Sequence, residues 1–205
     1  LKIVSTGIYY ALALCAAGAL VGWLASPWFA VPMILLALFC LYFFRDPDRV
    51  IPSGPVAVSP ADGKVVAIQP EGGLNRMSIF LNVFDVHVNR TPIGGVIEKV
   101  HYQQGQFLVA SREECSRDNE QNIVTVTGDG TTVIFKQIAG LIARRIVFDR
   151  KPGDRVAIGE RIGLIKFGSR CDVLFGPEWE ITVRPGERVS AGSSVIARRR
   201  DRKPQ

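Results

Sequence analysis

The sequence predicts a mainly β fold: a compact β-barrel or sandwich domain with lipoyl-like repeat units, preceded by an N-terminal transmembrane helical hairpin. Three observations predict it. Between Ile3 and Phe44 there is no Asp, Glu, Lys, Arg or His, whereas charge is spread through everything that follows. Beyond Arg45 the apolar segments are short, β-branched and divided by glycine turns, the pattern of strands rather than helices. One short unit, KPGDRVAIGERIG from Lys151, returns as RPGERVSAGSSVI from Arg184.

The N-terminal element comes first. Ile8 to Ser26 and Trp28 to Phe44 are apolar stretches separated by Pro27, and each reaches the lower limit of about 17 residues for crossing a bilayer. Lys2 at one end and Arg45 and Arg49 at the other would share the cytoplasmic side of a double crossing, as the positive-inside tendency favours. A cleavable signal peptide fits poorly, because the apolar region is too long. The expected division is a membrane-anchoring segment over residues 1–44 and a globular domain over 45–205, at the cell membrane on its cytoplasmic side.

Strands are expected at Lys64 to Gln69, Met77 to Val83, Val96 to His101, Ile123 to Val126, Thr132 to Gln137 and Arg161 to Lys166. Turns are expected at Asp62-Gly63, Gly72-Gly73, Gly94-Gly95 and Gly128-Asp129-Gly130. A single helix is expected in this part, from Leu141 to Phe148. Each copy of the repeat reads as a turn, a short strand and a second glycine turn. Neither carries a lysine between its turns, which argues against use as a carrier of a lysine-linked group.

The net charge is +6 and the isoelectric point about 9.4. Nucleic acid is disfavoured as the partner, since no recognition module is present and the densest basic run, from Arg198 to Lys203, is a short tail. Beside an apolar anchor, anionic lipid suits that charge better. The four cysteines, Cys15, Cys40, Cys115 and Cys171, lack metal-ligand spacing and read as reduced thiols. No metal site is expected.

Four segments carry chemistry: FFRDPDR from Phe43, SPADGKV from Ser59, FDVHVNRTPIGG from Phe84, and FGSR from Phe167. Read singly they are weak. Gly168-Ser169 alone is a turn after a strand, Asp62 alone belongs to a tight turn, and His87, one of two histidines, alone reads as structural, as does His101. Glycine nevertheless leaves its carbonyl open to a neighbouring hydroxyl and tolerates strained backbone.

In this order and spacing the four segments resemble the phosphatidylserine decarboxylase family, in the short bacterial and archaeal form whose membrane segment precedes FFRDP. The resemblance runs from about Leu36 to Ala197. It implies a chain that cuts itself between Gly168 and Ser169, leaving a large (1–168) and a small (169–205) fragment as a heterodimer. It implies that Ser169 becomes a pyruvoyl group, the sole cofactor, whose ketone forms a Schiff base with the substrate amine and so stabilises the carbanion left by decarboxylation. Asp62 is implied in self-cleavage and His87 in processing or in protonating the carbanion. The longer bacterial pattern has a second histidine three residues after His87. This chain has Arg90 there, which cannot act as a base and suits a carboxylate or phosphate instead. Arg45, Arg49 and Arg170 are further candidates for that anion. The implied reaction converts phosphatidylserine to phosphatidylethanolamine at an anionic membrane. The alternatives are a membrane-anchored lipoyl-like scaffold without catalysis and a pyruvoyl enzyme for a soluble amino acid.

Overall fold

A computed structural model describes residues 2–108, 114–141, 145–166 and 169–200. It divides into two compact units, Leu1–Asp48 and Arg49–Gln205.

The first unit is a helical hairpin. The short strand β1 (Lys2–Ile3) leads into α1 (Ser5–Leu24). Pro27, with its fixed φ and missing N–H, opens a 3-10 turn, Pro27–Phe29, before α2 (Ala30–Phe43). The chain then pairs back on β1 through β2 (Arg45–Asp46). The helices run antiparallel and meet where side chains are small: a Cβ on Gly7 would lie 2.4 Å from Phe44 Cβ, and one on Gly18 3.1 Å from Met33 Cβ. Close approach at glycine is how helices pack where no hydrophobic drive separates them from their surroundings. Leu12, Leu20, Trp23, Leu24, Trp28, Leu35 and Leu38 point outward and are exposed. The helix α1 is long and apolar enough to cross a membrane; Pro27–Phe43 is shorter.

The second unit is mainly β. Its strands are β3 (Val56–Val58), β4 (Gly63–Glu71), β5 (Leu74–Leu81), β6 (Val88–Arg90), β7 (Gly95–Gln103), β8 (Gln121–Gly128), β9 (Thr131–Ile138), β10 (Ile146–Phe148), β11 (Arg155–Val156), β12 (Arg161–Ile165), β13 (Ser169–Phe175), β14 (Trp179–Ile181), β15 (Arg188–Val189) and β16 (Val195–Arg199). One short helix, α3 (Cys115–Asp118), lies between β7 and β8. Eight strands form a curled antiparallel half-barrel in the order β11-β7-β8-β9-β13-β5-β4-β15, and two three-stranded sheets, β10-β12-β6 and β14-β16-β3, accompany it. The core is formed by alternate residues of the large sheet, among them Val65, Met77, Ile79, Val124, Phe135, Val173 and Phe175, as the two-residue period of a strand requires.

All six expected strands form. The helix expected from Leu141 to Phe148 does not: Ile146–Phe148 is β10, paired antiparallel to residues 163–165 of β12. Its β-branched Ile-Val pair fits a pleated sheet edge better than a helix turn. Residues 142–144 of that segment lie outside the described residues.

The two copies of the repeat take the same form. Each makes a turn, a two-residue strand and a second turn before a five-residue strand. The first copy pairs with β7 and β6, the second with β4 and β3. The offset is 33 residues as far as Gly159 and Gly192, and 34 beyond, because the second copy has one more residue in its turn: Arg161 and Val195 occupy the same place in the ladder.

Candidate active site

Ser169 opens β13, the strand between β9 and β5 near the middle of the large sheet, and every residue of that strand is buried. Its partner is Leu81 at the end of β5. Ser169 lies on the core-facing side with Cys171, Val173 and Phe175, all fully buried. Among the described residues its Oγ has no hydrogen-bond partner. A buried hydroxyl without a partner loses its hydration uncompensated, and such a group is available to react. Gly168, the other half of the expected junction, lies outside the described residues.

Asp62 comes from the loop between β3 and β4. Gly63, next to it, must be glycine: at φ 153° a Cβ there would lie 2.2 Å from the Phe80 carbonyl oxygen. The pairs Val189–Gly63, Lys64–Phe80 and Leu81–Ser169 put Gly63 and Ser169 in one cross-strand row with Leu81 between them, about 10 Å apart at ordinary strand spacing. Arg49 grips the Asp62 carboxylate with Nη2, 3.0 Å from Oδ1 and 2.7 Å from Oδ2, and the Ala191 amide donates to Oδ1 at 2.7 Å. Burial nevertheless pushes the Asp62 carboxyl above its ordinary value, against the Ala191 amide and Arg49, with the negative charge of Asp85 adding to the rise.

His87 is 2% exposed and lies just before β6. Its Nδ1 is 2.9 Å from the Asp85 carbonyl oxygen. A carbonyl only accepts, so in the neutral ring the proton sits on Nδ1 and Nε2 is the basic nitrogen. The Asp85 carboxylate is itself tied down: Oδ2 accepts the Asn82 amide at 2.9 Å and Oδ1 is ion-paired with Arg188. Two residues beyond His87, Asn89 Oδ1 accepts from Gln137 Nε2 at 2.9 Å, and Gln137 pairs across the sheet with Cys171. His87 is thereby held on Asp85, whose charge acts on Asp62, and β6 is tied through Gln137 of β9 to the sheet face that carries Ser169.

The candidate arginines occupy different places in the fold. Arg90 is 5% exposed and donates from Nη1 to the Gly159 carbonyl at 3.1 Å; a Cβ on Gly192 would come within 2.9 Å of its Cδ. It lies between the second turns of the two repeats. Arg170 is 1% exposed, on the sheet face opposite Ser169, with Nε 2.7 Å from Asp172 Oδ1 and Nη2 2.6 Å from Ser78 Oγ. It belongs to a buried network with Arg76 and Ser116, both of which reach Asp172 Oδ2. Arg45 stacks over Tyr42, 3.9 Å from the ring centroid, in the helical unit. Asp85, Arg188 and the Ala191 amide escaped sequence reasoning, because Asp85 looks like a turn former and the other two lie a hundred residues away.

Comparison with known proteins identifies the family. The family model for phosphatidylserine decarboxylase matches residues 36–197. A phosphatidylserine decarboxylase proenzyme from Solibacter usitatus is 85% identical over 203 residues, covering 99% of this chain and 100% of its own. Proenzymes of the same name from Oleidesulfovibrio alaskensis and Erythrobacter litoralis are 45% and 44% identical, covering 93% and 94% of this chain and 91% and 86% of their own.

Proposed function

The chain belongs to the phosphatidylserine decarboxylase family, and from that premise we propose that it is a proenzyme that cleaves itself and then converts phosphatidylserine to phosphatidylethanolamine. The single observation in the fold that supports a role for Ser169 is its buried, unpartnered Oγ at the head of a central strand. That orphaned hydroxyl fits a serine whose function is to be consumed.

In the self-cleavage we propose, Ser169 Oγ gives up its proton and attacks the Gly168 carbonyl carbon, so that the amide becomes an ester. Loss of the α-proton of residue 169 and departure of the Gly168 carboxylate leave a dehydroalanine at 169. Water then replaces the nitrogen as ammonia, giving a pyruvoyl group. Asp62 and His87 are the proton carriers available. His87 Nε2 is the nitrogen able to accept a proton, Nδ1 being committed to the Asp85 carbonyl. Asp62, with its raised pKa, is a better proton acceptor than an ordinary carboxylate whenever it is ionised. For Arg90 we propose a positioning role in place of the expected contact with substrate, since its guanidinium is buried on the Gly159 carbonyl.

The pyruvoyl group supplies the electron sink that amino-acid decarboxylation demands. The chain's residues contribute the rest: a core-facing, water-poor setting at Ser169, a fixed imidazole, and a proton for the substrate carbon once carbon dioxide has gone. Residues 169–200 supply β13 to β16, interleaved with strands from before the cut, so the two fragments stay together as a heterodimer. The exposed apolar surface of the helical unit supports attachment to a membrane, and the charges Lys2, Arg45 and Arg49 flanking the hairpin favour the cytoplasmic side for the β unit.

Denaturing electrophoresis of purified protein tests this together with an assay of carbon dioxide release from phosphatidylserine. Two fragments and turnover are expected from the wild type, and one intact band without turnover from Ser169→Ala. Turnover by the uncut variant overturns the role of Ser169.

A further inference from the structure

The large sheet reads the same from both ends. Its order, β11-β7-β8-β9-β13-β5-β4-β15, exchanges β13 with β9, β5 with β8, β4 with β7 and β15 with β11 about an axis between β9 and β13. Hydrogen bonds outside the strands obey the same exchange. Val58 N to Pro92 O matches Arg90 N to Pro60 O; Val65 N to Glu187 O matches Ile97 N to Asp154 O; Gly192 N to Ser59 O matches Gly159 N to Thr91 O; Arg199 N to Pro55 O matches Ile165 N to His87 O. All are 2.8–3.2 Å. The fold is thus an internal duplication in which each residue of the reaction site has a counterpart.

The counterparts have lost the chemistry. Thr131 stands for Ser169, since it pairs with Gly128 as Ser169 pairs with Leu81, and its Oγ1 accepts from Trp179 Nε1 at 2.8 Å and donates to Glu178. Gly94 stands for Asp62 and Pro55 for His87. Arg155 stands for Arg188, but Ser53 occupies the place of Asp85, and Arg155 has no ion pair among the described residues. Of these counterparts Thr131, Gly94, Pro55 and Arg155 line a cavity of about 550 Å³, whose wall also includes Asp129. Glycines 54, 94, 95 and 128 leave backbone as much of its wall, and Arg155 and Arg199 bring two guanidinium groups to it.

We propose that this cavity is a second, non-catalytic site for a phosphate-bearing anion. Its volume suits a small molecule or headgroup. Two arginines against the single carboxylate of Asp129, with Arg199 donating to the Asp129 backbone carbonyl and Arg155 without an ion pair among the described residues, favour a phosphate group, and the absence of nucleophile, carboxylate and imidazole at the matching positions leaves binding as its function. A lipid headgroup and free phosphate present the same chemistry, and the experiment separates them.

The test uses full-length protein with Trp23→Phe and Trp28→Phe, which leaves Trp179, itself in the cavity wall, as the only tryptophan. Its fluorescence is followed against inorganic phosphate in detergent, and against phosphatidylglycerol in phosphatidylcholine nanodiscs; calorimetry provides a second reading for phosphate. A saturable response is expected, weakened about tenfold or more by Arg155→Glu. A response to phosphate alone identifies a soluble ligand; a response to phosphatidylglycerol alone identifies a headgroup. No saturable binding to either, or binding that Arg155→Glu leaves unchanged, overturns the proposal. Arg155 is exposed, so the substitution is expected to fold, and circular dichroism checks that it does. The same titration in Ser169→Ala protein is expected to give the same curve, which keeps this result separate from the fate of the proposed reaction.

Discussion

Asp62 illustrates how much and how little a motif reveals at the scale of one residue. Pro-Ala-Asp-Gly announces a turn, and the turn forms, with Gly63 forced by the Phe80 carbonyl. What the motif could not announce is the environment of the carboxylate: Arg49 from the preceding segment and the Ala191 amide from near the end of the chain. Because burial raises the Asp62 pKa, its neutral form is favoured by folding. The associated stability is fully present below the unfolded value, about 4, and is lost as pH rises through the higher folded value. Self-cleavage that needs the ionised form runs the other way. Single-turnover processing is expected to slow as pH falls, with a midpoint above about 4, and Asp62→Asn is expected to abolish that limb of the profile. His87 was legible as a residue type, but its tautomer follows only from the Asp85 carbonyl. Arg188→Met removes the ion pair that steadies Asp85 and is expected to lower the decarboxylation rate with little change in substrate KM. An unaltered rate, measured on processed enzyme, would remove Arg188 from the positioning of His87.

Strand β13 is the element on which the site depends, and the sequence concealed it. Ser-Arg-Cys-Asp-Val-Leu-Phe alternates small or apolar residues with Arg170, Asp172 and Leu174, the signature of a strand with one polar face. Gly168-Ser169 by itself, however, reads as a turn after a strand, and Arg170 as a candidate for the substrate's anion. In the fold both faces are buried, and Asp172 meets Arg170, Arg76 and Ser116; the positive charge of Arg170 holds the Asp172 carboxyl below its ordinary value despite complete burial. Replacing one partner of such a network leaves buried charge uncompensated, so Asp172→Ala is expected to lower stability by about 3–5 kcal/mol, read as a fall in the urea midpoint of unfolding. The repeat, by contrast, was visible because its turns need Pro and Gly at fixed places. Only its pairing with β4/β3 and β7/β6 required the fold. Gly63→Ala, which forces a Cβ onto the Phe80 carbonyl, is expected to reduce the yield of folded protein; Gly72→Ala, at a turn with no atom within 4 Å, tests whether crowding or φ alone is responsible.

At the scale of the whole molecule, composition separated an uncharged N-terminal segment from a β-rich remainder, and the helical hairpin and mainly β unit follow that division. Long-range order was not legible. Antiparallel partners such as Leu81 and Ser169 are 88 residues apart along the chain, and no local pattern encodes such a register. The duplication explains how a chain can be cut beside its central strand and remain whole. In one half β8 and β9 are joined by the tight Asp129-Gly130 turn; in the other β5 and β13 are paired without any such link. The half-barrel is held by strand pairing and core packing, and it is expected to survive loss of the proposed 168–169 bond. The measurement that tests this account most directly is the mass of the small fragment from active enzyme. A fragment beginning at residue 169 and lighter than its unmodified sequence by one ammonia, with a ketone that reacts with hydroxylamine, is the expected result. An ordinary amino-terminal serine, or an active chain with no such fragment, would contradict it.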